Sequence, residues 1–136
     1  MKIALCLDDK NGMMFAGRRQ SMDALLRQDL LQMVEGCLLW MSPYSANQFE
    51  SLPENVQVDA AFLEKAGQED WCFVEDGDVL TVKDRVTRFA IYRWNRHYPS
   101  DRKFPMEAFT GRWQLESRRE FPGKSHENIT LEVYTL

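Results

Sequence analysis

The side chains able to do chemistry in this chain are few and scattered. Its two histidines, His97 and His126, lie far apart. His126 falls on a polar turn and reads as a hydrogen-bonded turn residue rather than a ligand or base. Cys6, Cys37 and Cys72 form no C-x-x-C pair and have no histidine nearby. They read as reduced thiols packed as small hydrophobes inside strands, not as metal ligands or a disulfide. No G-x-S-x-G motif and no Cys–His pair announces a nucleophile, so neither a catalytic residue nor a metal site is expected. Two features remain: a carboxylate-rich turn, Glu75-Asp76-Gly77-Asp78, and a run of basic side chains in the second half.

The basic run is Arg93, Arg96, His97, Arg102, Lys103, Arg118 and Arg119, with Trp94 and Tyr98 among them. It reflects an asymmetry hidden in a net charge of −4. Residues 1–84 hold 7 Lys and Arg against 15 Asp and Glu, whereas residues 85–124 hold 10 against 4. Arginines interleaved with aromatics suit phosphates and stacked bases, although no recognised nucleic-acid motif is present. The partner implied is anionic: a small molecule, a nucleic acid or an acidic protein surface. The other reading is that the two halves complement each other across one surface, since arginine stems also cover apolar area.

The elements that must position these groups centre on Trp71–Asn95. WCFVE (71–75) is an apolar run fit for a strand buried on both faces. Asp76-Gly77-Asp78 breaks it, and an aspartate there can cap a short helix through Val79, Leu80 and Val82. RFAIYRW (88–94) is the next strand, parallel to the first. Before this unit, Lys2–Asp8 reads as a central strand, 9–12 as a turn and Met13–Gln20 as a loop. Ser21 is a candidate cap for a helix over Met22–Val34, with Met22, Leu25, Leu26, Leu30 and Met33 on one stripe and Gly36 closing it. Cys37–Met41 is a strand, and Ser42-Pro43 opens a helix to about Phe49. A brief strand near Val56–Val58 follows, then a helix over Ala60–Ala66 capped by Asp59. After the polar connection Arg96–Pro105, strands near Trp113–Ser117 and Ile129–Tyr134 flank the turn 122–127 and form an antiparallel hairpin.

Composition agrees with one α/β domain over 1–136, a mostly parallel sheet flanked by helices with that hairpin at its edge. Hydrophobic residues make up 44% and aromatics 12%, a globular composition. No apolar run approaches the roughly 20 residues that cross a bilayer, and MKIALCLDD reads as a strand rather than a signal peptide. The expectation is a cytoplasmic protein with reduced thiols and no membrane partner.

At this level a resemblance emerges. Strand one, Asn11-Gly12-Met13 and Phe15-Ala16-Gly17-Arg18 are similar to the opening strand and mobile loop of dihydrofolate reductase. Cys37–Phe49 resembles that family's second strand and following helix, and Trp71–Trp94 its strand, glycine turn, short helix and strand. Phe104-Pro105, Trp113, Glu120-Phe121 and Ser125-His126 match its tail. The resemblance implies a dihydrofolate-reductase-like fold, with 50–58 shorter than in that family. The chain also resembles small bacterial proteins that carry the name ribonuclease Z. A two-zinc nuclease needs a His-x-His-x-Asp-His cluster, and two distant histidines cannot supply it.

The family's functional positions are altered here. Its reductases place a carboxylate on the first helix, where this chain has Leu25 or Leu26. Asp23 and Asp29 lie one turn either way and, on a surface helix, are expected to be solvated. The tryptophan and proline that precede that helix become Gln20 and Ser21. Where the family holds nucleotide phosphates, this chain has Met41-Ser42-Pro43 and the turn Glu75–Asp78. The cofactor-cleft positions Ser42, Asp76, Gly77 and Asp78 therefore read as degenerate. Two like charges about 4 Å apart repel by roughly 1 kcal/mol in water and more in a cleft, which opposes a phosphate, so no cofactor is expected. Two functional readings result. One is a non-catalytic binding or regulatory module on a reductase-like scaffold with an anionic partner. The other is a small-molecule enzyme, reductase-like or nucleotide-acting, in the cleft between the first strand and first helix.

Overall fold

The computed structural model describes residues 1–109, 111 and 113–136. Its strands are β1 (Lys2–Leu7), β2 (Gly12–Phe15), β3 (Arg18–Arg19), β4 (Leu39–Met41), β5 (Val56–Val58), β6 (Trp71–Phe73), β7 (Arg88–Arg93), β8 (Arg102–Lys103), β9 (Gln114–Phe121) and β10 (Ile129–Thr135). Helices α1 (Ala24–Met33), α2 (Pro43–Ala46) and α3 (Phe62–Lys65) and the 3-10 helices Val79–Arg85 and Met106–Phe109 join them.

Seven strands form one mixed sheet in the order β5-β4-β6-β1-β7-β10-β9. The first five run parallel, and β10 turns the sheet antiparallel against both β7 and β9. β1 lies at the centre because both its faces are apolar: Ile3, Leu5 and Leu7 pack into one layer and Ala4 into the other. α1 covers the second layer through Leu26, Leu30 and Val34. The fold class read from the sequence, a largely parallel sheet ending in an antiparallel hairpin, is present.

Several local expectations are corrected. Met13–Gln20 is not a loop; β2 and β3 pair there and join β8, itself inside the expected connection Arg96–Pro105, in a small second sheet. Ser21 does not cap α1. Asp23 does, its Oδ1 accepting from the N–H groups of Leu25 at 2.9 Å and Leu26 at 3.2 Å. Starting the helix two residues later leaves Met22 exposed and off the buried stripe. Cys37 precedes β4 rather than lying in it, because Gly36 at φ +86° carries the chain out of the helix there. α2 stops at Ala46 and α3 spans only Phe62–Lys65, although Asp59 still accepts from the Ala61 N–H at 2.8 Å.

Candidate functional site

Beside β1, behind the β2–β3 hairpin and ahead of α1, little open space remains. Cys6, Met13, Arg19, Gln20, Ser21, Val74, Glu75 and Trp94 line a cavity of only about 10 Å³, room for one water. Arg19 closes it. β3 carries its guanidinium to the Glu75 carboxylate, with Nε 3.0 Å from Oε2 and Nη2 3.3 Å from Oε1. The same guanidinium lies over the Tyr44 ring, 4.2 Å from its centroid, and donates to the Tyr44 carbonyl. Glu75 also accepts from Ser45 Oγ and Gln48 Nε2, each at 2.9 Å. This forked, multiply bonded pair is the strong kind of ion pair. Of the turn's three carboxylates, Glu75 thus serves the plug.

The altered phosphate positions sit just outside. Ser42 Oγ donates to Asp76 Oδ1 at 2.8 Å and caps α2 by accepting from the Ser45 N–H at 3.2 Å. Asp78 caps the 3-10 helix, accepting from the Leu80 N–H at 3.0 Å. Gly77 allows close packing, since a Cβ there would lie 3.0 Å from both Leu63 Cδ1 and Phe62 Cζ. Asp76, Gly77 and Asp78 share an open cleft of about 460 Å³ with Arg102 and Lys103. Acidic and basic side chains therefore face each other where the resemblance places phosphates.

The basic run divides. Arg93 Nε bonds Glu132 Oε1 at 3.0 Å, and its Nη1 bonds Asn11 Oδ1 at 2.6 Å. Arg102 donates to the Gly77 carbonyl. Arg119 holds Asp29 through both carboxylate oxygens at 2.8 Å, and Arg118 meets Glu120 at 3.1 Å. Arg96, His97 and Lys103 are exposed, and none has a side-chain hydrogen-bond partner among the described residues. Arg93 and Arg118 line one open cleft together with Asp9, Asn11 and Glu132.

Asp23 and Asp29 are not solvated as expected. Tyr92 Oη donates to Asp29 Oδ2 at 2.6 Å, and burial, reinforced by that carboxylate, raises the Tyr92 pKa far above its ordinary value. Asp23 is 2% exposed. Besides capping α1 it accepts from the N–H groups of Lys124 at 3.1 Å and Ser125 at 2.9 Å, and faces His126 Nδ1 at 2.9 Å from Oδ2. Burial raises its pKa, but the His126 bond and the backbone N–H bonds outweigh burial and hold the carboxyl well below the usual range. The other ring nitrogen, Nε2, points away from Asp23. Nε2 faces two hydroxyls, Ser21 Oγ and Tyr98 Oη, each at 3.0 Å. The ring stacks on Trp94, centroids 4.6 Å apart and planes 26° apart.

Sequence reasoning located His126 on a turn but missed this cluster. Its one local trace is Ser21-x-Asp23 ahead of a helix, and contacts spanning 103 positions leave no spacing to read. Burial also pushes the Cys72 thiol up to about 12 and raises Cys6, in keeping with inert thiols. Among the described residues no group of three or more His, Cys, Asp or Glu could hold a metal ion, and no helix is long and apolar enough to cross a membrane.

No family model matches the chain, and no curated protein matches it by sequence. Among solved structures, a dihydrofolate reductase from Enterococcus faecalis, complexed with NADP(H) and RAB-propyl, superposes with a TM-score of 0.66 at 10% identity. The match covers 98% of this chain and 94% of that one. The fold is dihydrofolate-reductase-like.

Proposed function

We propose that the chain is a binding or regulatory module on a dihydrofolate-reductase-like scaffold, without reductase chemistry and with an anionic partner. One observation carries the reading: the Arg19–Glu75 pair closes the cavity beside β1, ahead of α1, down to about 10 Å³. Drug-sized ligands occupy pockets of roughly 300–1,000 Å³, so a reductase-like or nucleotide-acting enzyme in that cleft is the less supported reading. The neighbouring cleft is lined by both signs of charge, Asp76 and Asp78 with Arg102 and Lys103, rather than by a cradle of cations. The members of the basic run left for a partner are Arg96, His97 and Lys103, each exposed and without a side-chain hydrogen-bond partner among the described residues.

Two titrations test this. NADPH followed by tryptophan fluorescence at moderate salt is expected to show no submicromolar binding, and finding it would overturn the closed-cleft argument. A labelled single-stranded oligonucleotide and polyglutamate serve as anionic probes. At least one is expected to bind at low salt, with affinity falling as salt rises; for nucleic acid the log–log slope is close to one unit per phosphate contact. Failure of both probes to bind at low salt would sink the anionic-partner claim.

A further inference from the structure

β9 is an eight-residue strand at the end of the main sheet, and seven of its residues are exposed. Among the described residues no strand pairs with its outer side. Such an edge offers unpaired N–H and C=O groups to any extended chain unless its side chains forbid the pairing. Here they forbid most pairings and favour one. Between Leu115 and Ser117 the register with β10 slips, so Glu116 is an extra residue, and its carboxylate accepts from Arg88 Nη2 at 3.0 Å. The regular stretch is 117–121, with Arg119 at its middle. Ser117, Arg119 and Phe121 point to one face of the sheet, and Arg118 and Glu120 to the other. Asp29 neutralises Arg119 through both carboxylate oxygens at 2.8 Å. The charges left to meet another strand are Arg118 and Glu120, whose side chains are 53% and 51% exposed.

We propose that two copies of this chain join along β9, antiparallel about a two-fold axis level with Arg119. Side chains directly opposite each other in an antiparallel pair share a face, so the axis must pass level with a residue. Through Arg119 it sets Arg118 of each copy opposite Glu120 of the other, and Phe121 of each opposite Ser117 of the other. Moving the axis one residue either way sets Arg118 against Arg118 or Glu120 against Glu120, and like charges directly opposite are destabilising. The charges that blunt this edge toward other strands therefore match it to itself in a single register. The product is an isologous dimer in which two seven-stranded sheets become one. The bulge at Glu116 ends the seam on one side and the turn after Phe121 ends it on the other. So short a seam makes the association weak and concentration-dependent. The inference does not rest on the anionic-partner reading, since it uses none of Arg96, His97 and Lys103.

Sedimentation equilibrium of the full chain from about 10 µM to about 1 mM covers the range of such weak contacts. The expected result is a reversible monomer–dimer equilibrium, with hydrogen exchange of the amides in 117–121 slowing as the concentration rises. Arg118→Glu alone and Glu120→Arg alone should each weaken dimerisation at least tenfold, because each sets like charges opposite one another twice. Mixing these two variants should restore association, since each supplies the charge that the other lacks, and the doubly reversed chain should dimerise like the wild type. The Tm should be nearly unchanged in all of them, because exposed charges contribute little to stability. A wild-type chain that stays monomeric throughout that range overturns the proposal. So does a dimer that neither single reversal weakens, since its seam then lies elsewhere. Failure of the mixed variants to associate, where the wild type does, overturns the register and with it the proposal.

Discussion

Asp23 shows what a single residue contributes here. Its side chain ties the first turn of α1 to the turn between β9 and β10, and removing one partner of a buried, hydrogen-bonded pair costs about 3 kcal/mol. Asp23→Asn should therefore lower the Tm at neutral pH by roughly 10 °C. The pH dependence follows from the sign of the shift. The folded pKa lies below the ordinary 3.8, so the folded chain releases this proton more readily than the unfolded one. The stabilisation is full well above the ordinary value of 3.8 and is lost as pH falls through that value toward the folded one. Asp8 acts in the same direction: burial raises its pKa, but N–H bonds from Gly12, Lys10 and Tyr98 outweigh burial. Thermal unfolding between pH 7 and pH 2 should show a steep loss of Tm below about pH 4 in the wild type and a shallower one in Asp23→Asn, with the Asp8 share remaining. An unchanged slope would mean that Asp23 is not the anion described. A sequence reading could not reach this residue, because capping groups are recognised from neighbours whereas Lys124, Ser125 and His126 come from the far end of the chain.

Among the elements, legibility follows length and burial. β1 and β7 are six-residue strands buried on both sides, and their unbroken apolar runs identify them. β2, β3 and β8 have four, two and two residues, and they pair across long stretches of sequence. Runs that short have no period, so the hairpin carrying Arg19 into the cleft reads as a loop. The Pro122–Glu127 turn is legible as a turn, but its role in holding α1 is not. Two glycines separate these effects. Gly36 sits at φ +86°, and a Cβ there would meet nothing within 4 Å, so Gly36→Ala costs backbone strain alone, about 1 kcal/mol. A Cβ on Gly123 would lie 2.7 Å from Asp23 Oδ2 and 2.9 Å from the His126 carbonyl. Gly123→Ala must push apart the contacts that fix α1, a cost of about 1–3 kcal/mol. Urea unfolding should give a larger loss for Gly123→Ala than for Gly36→Ala. The reverse order would mean that the turn has slack against the helix.

For the whole molecule, the charge asymmetry is plain in composition, but its meaning depends on which cations are already engaged by the chain itself. Arg93 reaches Glu132 and Asn11, Arg102 reaches the Gly77 carbonyl, and Arg119 grips Asp29. These contacts join the basic segment to β10, to the turns after β1 and after β6 and to α1, so part of the run stabilises the fold. Arg96 and Lys103 stand free of such contacts among the described residues. The run therefore separates into two classes with opposite expected behaviour. Reversing Arg96 and Lys103 together to glutamate should leave the Tm within about 2 °C, because exposed charges contribute little to stability. The same double variant should weaken oligonucleotide or polyglutamate binding at least tenfold at low salt and flatten its salt dependence. Reversing Arg93 places a carboxylate against Glu132, with side chains only 19% and 18% exposed; the lost pair and the new repulsion together should cost about 2 kcal/mol, and anionic probes should feel this variant less than the Arg96 and Lys103 one. Differential scanning fluorimetry and fluorescence anisotropy on the two variants decide the matter. If the Arg96 and Lys103 reversal lowers the Tm as much as the Arg93 reversal and leaves probe binding unchanged, every member of the basic run serves the fold, and the anionic partner has no surface on this molecule to meet.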